Sequence, residues 1–221
     1  MKDLFSQHSF GYKQARTHYS IQIIEEILKY VPELGFAWDC GAGSGQLTQL
    51  LAPYFDHVVA TDISAAQLQH APYFENVSYQ LQPAEQTSIP TQSIDLVTVA
   101  QAIHWFNFDA FYAEVKRVLK PHGVIAVIGY GLIQVQQVEV HDLIEQLYAE
   151  TLNGYWEPER CYIDEQYQTI SFPFHEYPVP QLSLNYSWTA QQLLAYLKTW
   201  SALQHYQTIH SDDPLQHLAQ A

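Results

Sequence analysis

Three glycines in five residues, Gly41, Gly43 and Gly45, stand between a short apolar run, Phe36 to Asp39, and a segment whose Leu47, Leu50 and Leu51 recur at helical spacing. Glycine lets a backbone turn sharply and approach a ligand closely, so a glycine loop between a strand and a helix reads as a nucleotide site. Asp62 lies 21 residues beyond Gly41, at the end of the next apolar run. From that place a carboxylate can take both hydroxyls of a ribose. A second group of reactive side chains, His104 and Trp105, follows the β-rich run Ile94 to Ala100. There a histidine can serve as a general base or simply pack on what lies above it.

Two cofactors compete for the loop. A dinucleotide would set its pyrophosphate on the helix N-terminus, and its G-x-G-x-x-G pattern wants a third glycine where this chain has Gln46. It also gains nothing from a carboxylate beside the phosphates, which Asp39 supplies. S-adenosylmethionine carries cationic sulfonium and ammonium groups instead, and Asp39 is complementary to them through charge-assisted hydrogen bonds. The methyl donor is the better match.

The elements that must position these residues alternate. A helix over Ile21 to Val31 precedes the strand Phe36 to Asp39; then come the loop, a helix stopped near Pro53, a strand His57 to Thr61, and a helix capped by Ser64 and running to Ala71. Strands are expected at Asn76 to Leu81, Ile94 to Ala100 and Gly123 to Tyr130, with an amphipathic helix at Phe108 to Leu119. Strands alternating with helices predict an α/β fold with a doubly wound, mostly parallel Rossmann-like sheet. Residues 1–136 are expected as its cofactor-binding core. Residues 137–221 are expected as a helical and aromatic cap of the same domain. Within them a helix Val138 to Leu152, a strand Leu182 to Trp188, a helix from Thr189 to Trp200 and beyond, and a last short helix opened by Asp212-Asp213-Pro214 are expected.

Trp38-Asp39-Cys40-Gly41-Ala42-Gly43-Ser44-Gly45 resembles the first motif, D-x-G-x-G-x-G, of class I S-adenosylmethionine-dependent methyltransferases. The chain looks more narrowly like the type 11, trans-aconitate-methyltransferase-like group. That resemblance implies that Phe5, Tyr12 and Arg16 belong to an N-terminal segment folding over the cofactor. It makes Asp62 with Ile63 the ribose side, Ala84-Glu85 the adenine side, and Gln101 a further cofactor contact. His104-Trp105-Phe106 matches the group's H-W-F segment, and Tyr155-Trp156-Glu157 with Thr199-Trp200-Ser201 matches its cap. Pro83 stands where such families often carry an acid, so the adenine amino group falls to Glu85 or to backbone. Such relatives usually run on into a final strand that completes the sheet, whereas this chain stops at Ala221. Either the sequence is a shortened one or Leu182 to Trp188 forms an exposed edge.

On the acceptor side Trp105, Tyr130, Trp156 and Arg160 are the candidates. Arg160 can grip a carboxylate bidentately, or the segment Tyr155 to Arg160 can be an aromatic lid. Tyr112 and Lys116 have the spacing of short-chain dehydrogenases but lie too close to the glycine loop for that family's order, and read as a solvated helix face. Cys40 has no basic neighbour and reads as a small filler. The Asn/Asp-Pro-Pro-Tyr/Phe motif that holds adenine or glutamine targets is absent; Gln101-Ala102-Ile103-His104 stands instead. A small-molecule acceptor is therefore expected, with S-adenosylhomocysteine as coproduct and no metal. A Rossmann oxidoreductase and a non-catalytic methyltransferase-like module are the alternatives.

Composition sets the outer bounds. Nine Lys and Arg against 23 Asp and Glu in 221 residues give a net charge of −14, a field that repels a phosphate backbone, so no nucleic-acid partner is expected. Two cysteines are too few for a disulfide framework and point to a reducing, cytoplasmic setting. No apolar run approaches the ~20 residues of a spanning helix. Nothing in the sequence speaks to the oligomeric state.

Overall fold

Valine, isoleucine and alanine dominate the runs His57–Asp62 and Ile94–Ala100, and the second is buried along nearly its whole length. Continuous burial marks a strand covered by helices on both faces. In the computed structural model, which describes residues 19–216, 218 and 219, these runs are β2 and β4 of a five-stranded sheet ordered β3-β2-β1-β4-β5. β1 is Phe36–Cys40, β3 Val77–Leu81 and β5 Leu119–Ile128, and every neighbouring pair is parallel. The order reverses between β1 and β4, and ligands of open α/β sheets bind at the carboxyl ends of the strands at such a switch point. Phe5, Tyr12 and Arg16 lie outside the described residues.

Caps define the helices. The Ser20 side chain accepts from the Gln22 amide and opens α1 (Ile21–Leu28). α2 is Thr48–Leu51; Ser64 caps α3 (Ala65–Leu68), and Asn107 caps α4 (Phe108–Val118). On one face of the sheet Ile24 of α1 and Leu51 of α2 bury with Leu47, Val58 and Leu96. On the other, Phe111 and Val115 of α4 pack on Trp38, Val97 and Val99. Phe111 is fully buried, with its ring 6.2 Å from that of Trp38. Its truncation to Ala would cost about 3–5 kcal/mol.

Beyond β5 the chain forms α5 (Val138–Gln146), extended by a π turn over Leu147–Thr151, then a 3-10 turn at Pro158–Arg160 leading into α6 (Cys161–Asp164). α7 (Ala190–Leu197) opens with a capping box between Thr189 and Gln192, and α8 is Ser201–Ile209. Ile144, Leu147, Leu152, Leu197, Trp200 and Leu203 form a third apolar cluster among these elements.

Four expectations are corrected. Leu182 to Trp188 makes no strand: Leu184, Tyr186 and Trp188 are half-buried and the residues between them exposed, so the alternation records one inward side without a ladder. β5 is consequently one edge of the sheet among the described residues, β3 being the other, and Pro121, which has no amide hydrogen to donate, sits on β5. The helix after Thr189 breaks at Lys198–Trp200 into two, and Pro214 opens only a turn. Tyr112 is no solvated face: it is 5% exposed, beneath Phe172 and Phe174, and the Lys116 ammonium lies over the Phe174 ring. No described helix is long and apolar enough to cross a membrane.

Candidate functional site

The loop after β1 turns back over the end of β2, the amides of Gly41 and Ala42 both donating to the Thr61 carbonyl at 2.9 and 3.0 Å. Gly41 has φ +69°, and a Cβ there would stand 2.6 Å from the Ala102 Cβ. Only glycine fits both the left-handed backbone and that approach. Gly43 and Gly45 also have positive φ.

Asp39 is 1% exposed at the end of β1, its carboxylate held by two hydroxyls: Thr48 donates to Oδ2 at 2.6 Å and Thr98 to Oδ1 at 2.8 Å. Burial pushes its pKa up to about 6, while the two threonines pull the other way and the nearby Asp62 adds to the rise. A carboxylate buried without a cationic partner among its hydrogen bonds is a ready complement for a bound cation. Cys40 beside it is fully buried, and burial with the Asp39 charge drives its thiol well above the ordinary value. It is no nucleophile.

At the end of β2, Asp62 Oδ2 accepts from the Gly43 amide and Oδ1 from the Ser64 amide, each at 2.8 Å. The acid thus joins the loop, Ile63 and the α3 cap in one rigid turn. Ala84 is buried after β3, and Glu85 Oε1 accepts from the Asn107 amide at 3.0 Å, so the Ala84-Glu85 turn is tied to the start of α4.

After β4, Gln101 has φ +53° and donates through Nε2 to the Tyr130 carbonyl at 2.8 Å, joining the ends of β4 and β5. A 3-10 turn, Ile103–Trp105, then buries His104 to 5% exposure. Its Nδ1 is 3.1 Å from the Tyr167 hydroxyl, and its ring is 4.8 Å from that of Trp105. The Pro158–Arg160 turn packs against this one. The Arg160 guanidinium lies over the rings of Trp156 and Tyr148, and its Nε donates to the Tyr148 hydroxyl at 3.0 Å. Tyr148 in turn donates to Asp164 at 2.6 Å. Trp156 gives its indole N–H to the Tyr148 carbonyl at 3.1 Å and packs on Trp200, so it belongs to the third apolar cluster and offers Arg160 only a face.

Residues 38–127 match the family model described as a methyltransferase domain. A Dictyostelium discoideum protein named as a methyltransferase is 38% identical over 202 residues, 90% of this chain and 77% of that one. A Saccharomyces cerevisiae protein named as an S-adenosylmethionine-dependent methyltransferase is 30% identical over 67% of this chain, which spans about half (50%) of its length. A solved Anaeromyxobacter dehalogenans structure described as a type II methyltransferase superposes with TM-score 0.86 at 38% identity, over 93% of this chain and 87% of that one. The chain belongs to the class I S-adenosylmethionine-dependent methyltransferases.

This methyltransferase has residues that fit the cofactor its family implies. The loop carries no side chain at Gly41, where one would meet Ala102, and Asp39 supplies buried negative charge. The structure brings the loop, Asp39, Asp62, Glu85, Gln101 and His104 to the carboxyl ends of β1 to β4. The sequence reading missed Thr48 at the start of α2 and Thr98, whose sole signal was a hydroxyl inside the apolar run of β4, and it missed Tyr167 altogether.

Proposed function

We propose that this methyltransferase moves the methyl group of S-adenosylmethionine to a small-molecule acceptor, a carboxylic acid or a hydroxyl compound. The methyl donor supplies a carbon activated by positive sulfur. An acceptor oxygen forms a bond to that carbon as the carbon–sulfur bond breaks, sulfur keeps the electron pair, and S-adenosylhomocysteine leaves. The chain's share is orientation and exclusion of water. On the donor side stand Asp39, Gly41, Ala42, Gly43, Gly45, Asp62, Ile63, Ala84, Glu85 and Gln101. On the acceptor side stand His104, Trp105, Tyr130 and Arg160, with Trp156 behind Arg160 as the face on which its guanidinium lies.

One observation carries the acceptor class: the packing of the Pro158–Arg160 turn against Ile103–Trp105. It brings the two turns together, and the Arg160 charge acts on Tyr167, the hydroxyl partner of His104. Arg160 meets the Tyr148 hydroxyl at 3.0 Å and the Asp164 carboxylate at 3.5 Å through Nε, and we assign its terminal nitrogens to a ligand carboxylate, which a guanidinium fork can take bidentately. A cleft of about 2270 Å³ on the β5 side is lined by Ile103, Tyr130, Tyr148 and Tyr167, neighbours of His104 and Arg160 but not those two residues themselves, and we assign the acceptor's approach to it. The trans-aconitate-like resemblance favours an acid on the same side.

Thermal unfolding with S-adenosylmethionine, S-adenosylhomocysteine or NADH tests the donor half. A ligand at 100 times its dissociation constant adds about 2.7 kcal/mol and raises the midpoint by roughly 5 to 10 °C. A shift with the sulfur ligands alone supports the reading, one with NADH alone favours an oxidoreductase, and cofactor binding with no turnover across an acceptor panel favours a non-catalytic module.

A further inference from the structure

Tyr167 is brought to His104 at a visible cost to the backbone. Tyr167 and Gln166 are consecutive non-glycine residues with φ of +62° and +53°, a conformation that persists only where its surroundings enforce it. The Tyr167 amide donates back to the Tyr162 carbonyl at 2.7 Å, which closes the turn after α6. Gly129, just past β5, leaves room for the ring: a Cβ there would lie 2.6 Å from Tyr167 Cε2. Two strained residues and one absent side chain thus converge on a single contact, the phenol hydroxyl 3.1 Å from His104 Nδ1 with the rings stacked at 22°. Tyr112, another deeply packed tyrosine near this site, has a buried hydroxyl with no partner among the described residues. The pairing with His104 is therefore not a general consequence of burying a phenol here.

We propose that Tyr167 is a positioning residue that donates its hydroxyl proton to His104 Nδ1, so that the imidazole keeps its own proton on Nε2 and meets the acceptor as a hydrogen-bond donor, not as a base. The direction follows from acid and base strength: a phenol is a stronger acid than a neutral imidazole N–H, and an imidazole nitrogen a stronger base than a phenol oxygen. Burial holds the Tyr167 proton further, raising its pKa above the ordinary value against the pull of Arg160, with Tyr130 adding to the rise. A neutral histidine fixed as a donor suits an acceptor oxygen that already bears charge. Together with the Arg160 guanidinium it selects a carboxylate, whose methylation yields a neutral ester and releases no proton. This inference rests on the small-molecule methyltransferase reading and narrows it to acids.

Long-range nitrogen–proton NMR on the full ¹⁵N-labelled chain reads the tautomer directly, the His104 signals being those lost in His104→Asn. The expected result is a proton on Nε2 in the parent and a redistribution toward Nδ1 in Tyr167→Phe. Gly129→Ala, whose methyl displaces the ring, is expected to do the same. A proton on Nδ1 in the parent overturns the proposal, and so does a Tyr167→Phe spectrum identical to the parent's. The parent measurement needs no variant to fold. S-adenosylhomocysteine affinity is expected within about threefold of the parent's in Tyr167→Phe; if the parent itself fails to bind it, the methyltransferase reading falls while the tautomer still decides the role of Tyr167. On an acceptor panel, acids methylated with kcat lowered roughly 2- to 10-fold by Tyr167→Phe support the proposal. Turnover confined to alcohols, phenols or amines overturns it.

Discussion

The Gly43 amide donates to Asp62 Oδ2 at 2.8 Å, so the glycine loop is latched to the end of β2 by the carboxylate assigned to the ribose. On the proposed assignment, sugar hydroxyls would share an acid that already accepts from two amides, Gly43 and Ser64.

Asp62→Ala removes the latch and the sugar's acceptor together. Titration calorimetry with S-adenosylhomocysteine is expected to show about 10- to 100-fold weaker binding, the range for a hydrogen bond to a charged group. Binding within twofold of the parent would sink the ribose assignment.

Asp39 is protonated more easily in the folded chain, with a pKa of about 6 against the ordinary 3.8. The folded state thus holds the extra proton between these values, and stability falls as pH rises through that window, by up to about 3 kcal/mol at 1.36 kcal/mol per unit. Above about pH 6 the loss is complete. Cofactor affinity runs the opposite way, rising with pH as the carboxylate ionises toward the bound ammonium. Asp39→Asn is expected to match or exceed the parent's urea midpoint at pH 8 while binding S-adenosylmethionine at least about 10-fold more weakly. A variant destabilised at pH 8 but binding normally would contradict both halves.

Glu114, buried on α4, accepts from the Thr87 amide and hydroxyl at 2.7 and 2.6 Å and from Arg117 Nε and Nη2 at 2.8 and 2.7 Å. Burial opposes its charge, but Arg117 and Thr87 outweigh burial and hold its carboxyl below the ordinary value. A lowered acid contributes stability above its unfolded pKa, and that stability drains away as pH falls. Glu114→Ala is expected to cost about 2 kcal/mol near neutrality, discounted because Arg117 is partly exposed. The difference from the parent should shrink in urea titrations as the pH is lowered through about 4. A difference that stays constant would show packing, not charge, to be its source.

Gly41→Ala meets two obstacles, a φ of +69° and the Ala102 Cβ at 2.6 Å. A loss of about 2–3 kcal/mol in chemical denaturation is expected. Adding Ala102→Gly should restore the part due to the clash and leave the part due to φ. Full restoration would mean that the left-handed backbone carries no penalty.

The sheet was legible because its buried strands are short β-branched runs, as at His57–Asp62 and Ile94–Ala100. The glycine loop was legible because its residues are adjacent in sequence. Leu182 to Trp188 misled because period-two exposure fits any extended segment with one side turned in; hydrogen-bond partners leave no mark in composition. Tyr112 misled for a related reason, since the aromatic segment that covers it lies some sixty residues further on. Tyr167 gave no signal at all: its role depends on Gly129, on a turn after α6 and on His104, three places that only the fold brings together.

Gln166 stands beside that tyrosine with φ +53°, and its conformation has a consequence for anyone engineering the chain. A glycine there would relieve about 1–2 kcal/mol of left-handed strain and give back about 0.5–1 kcal/mol through the freedom of the unfolded chain. The thermally hardier protein would hold its phenol on a looser tether. Selection for heat resistance alone would therefore drift toward Gln166→Gly, trading accuracy at the histidine for endurance, whereas selection for turnover would keep the uncomfortable glutamine.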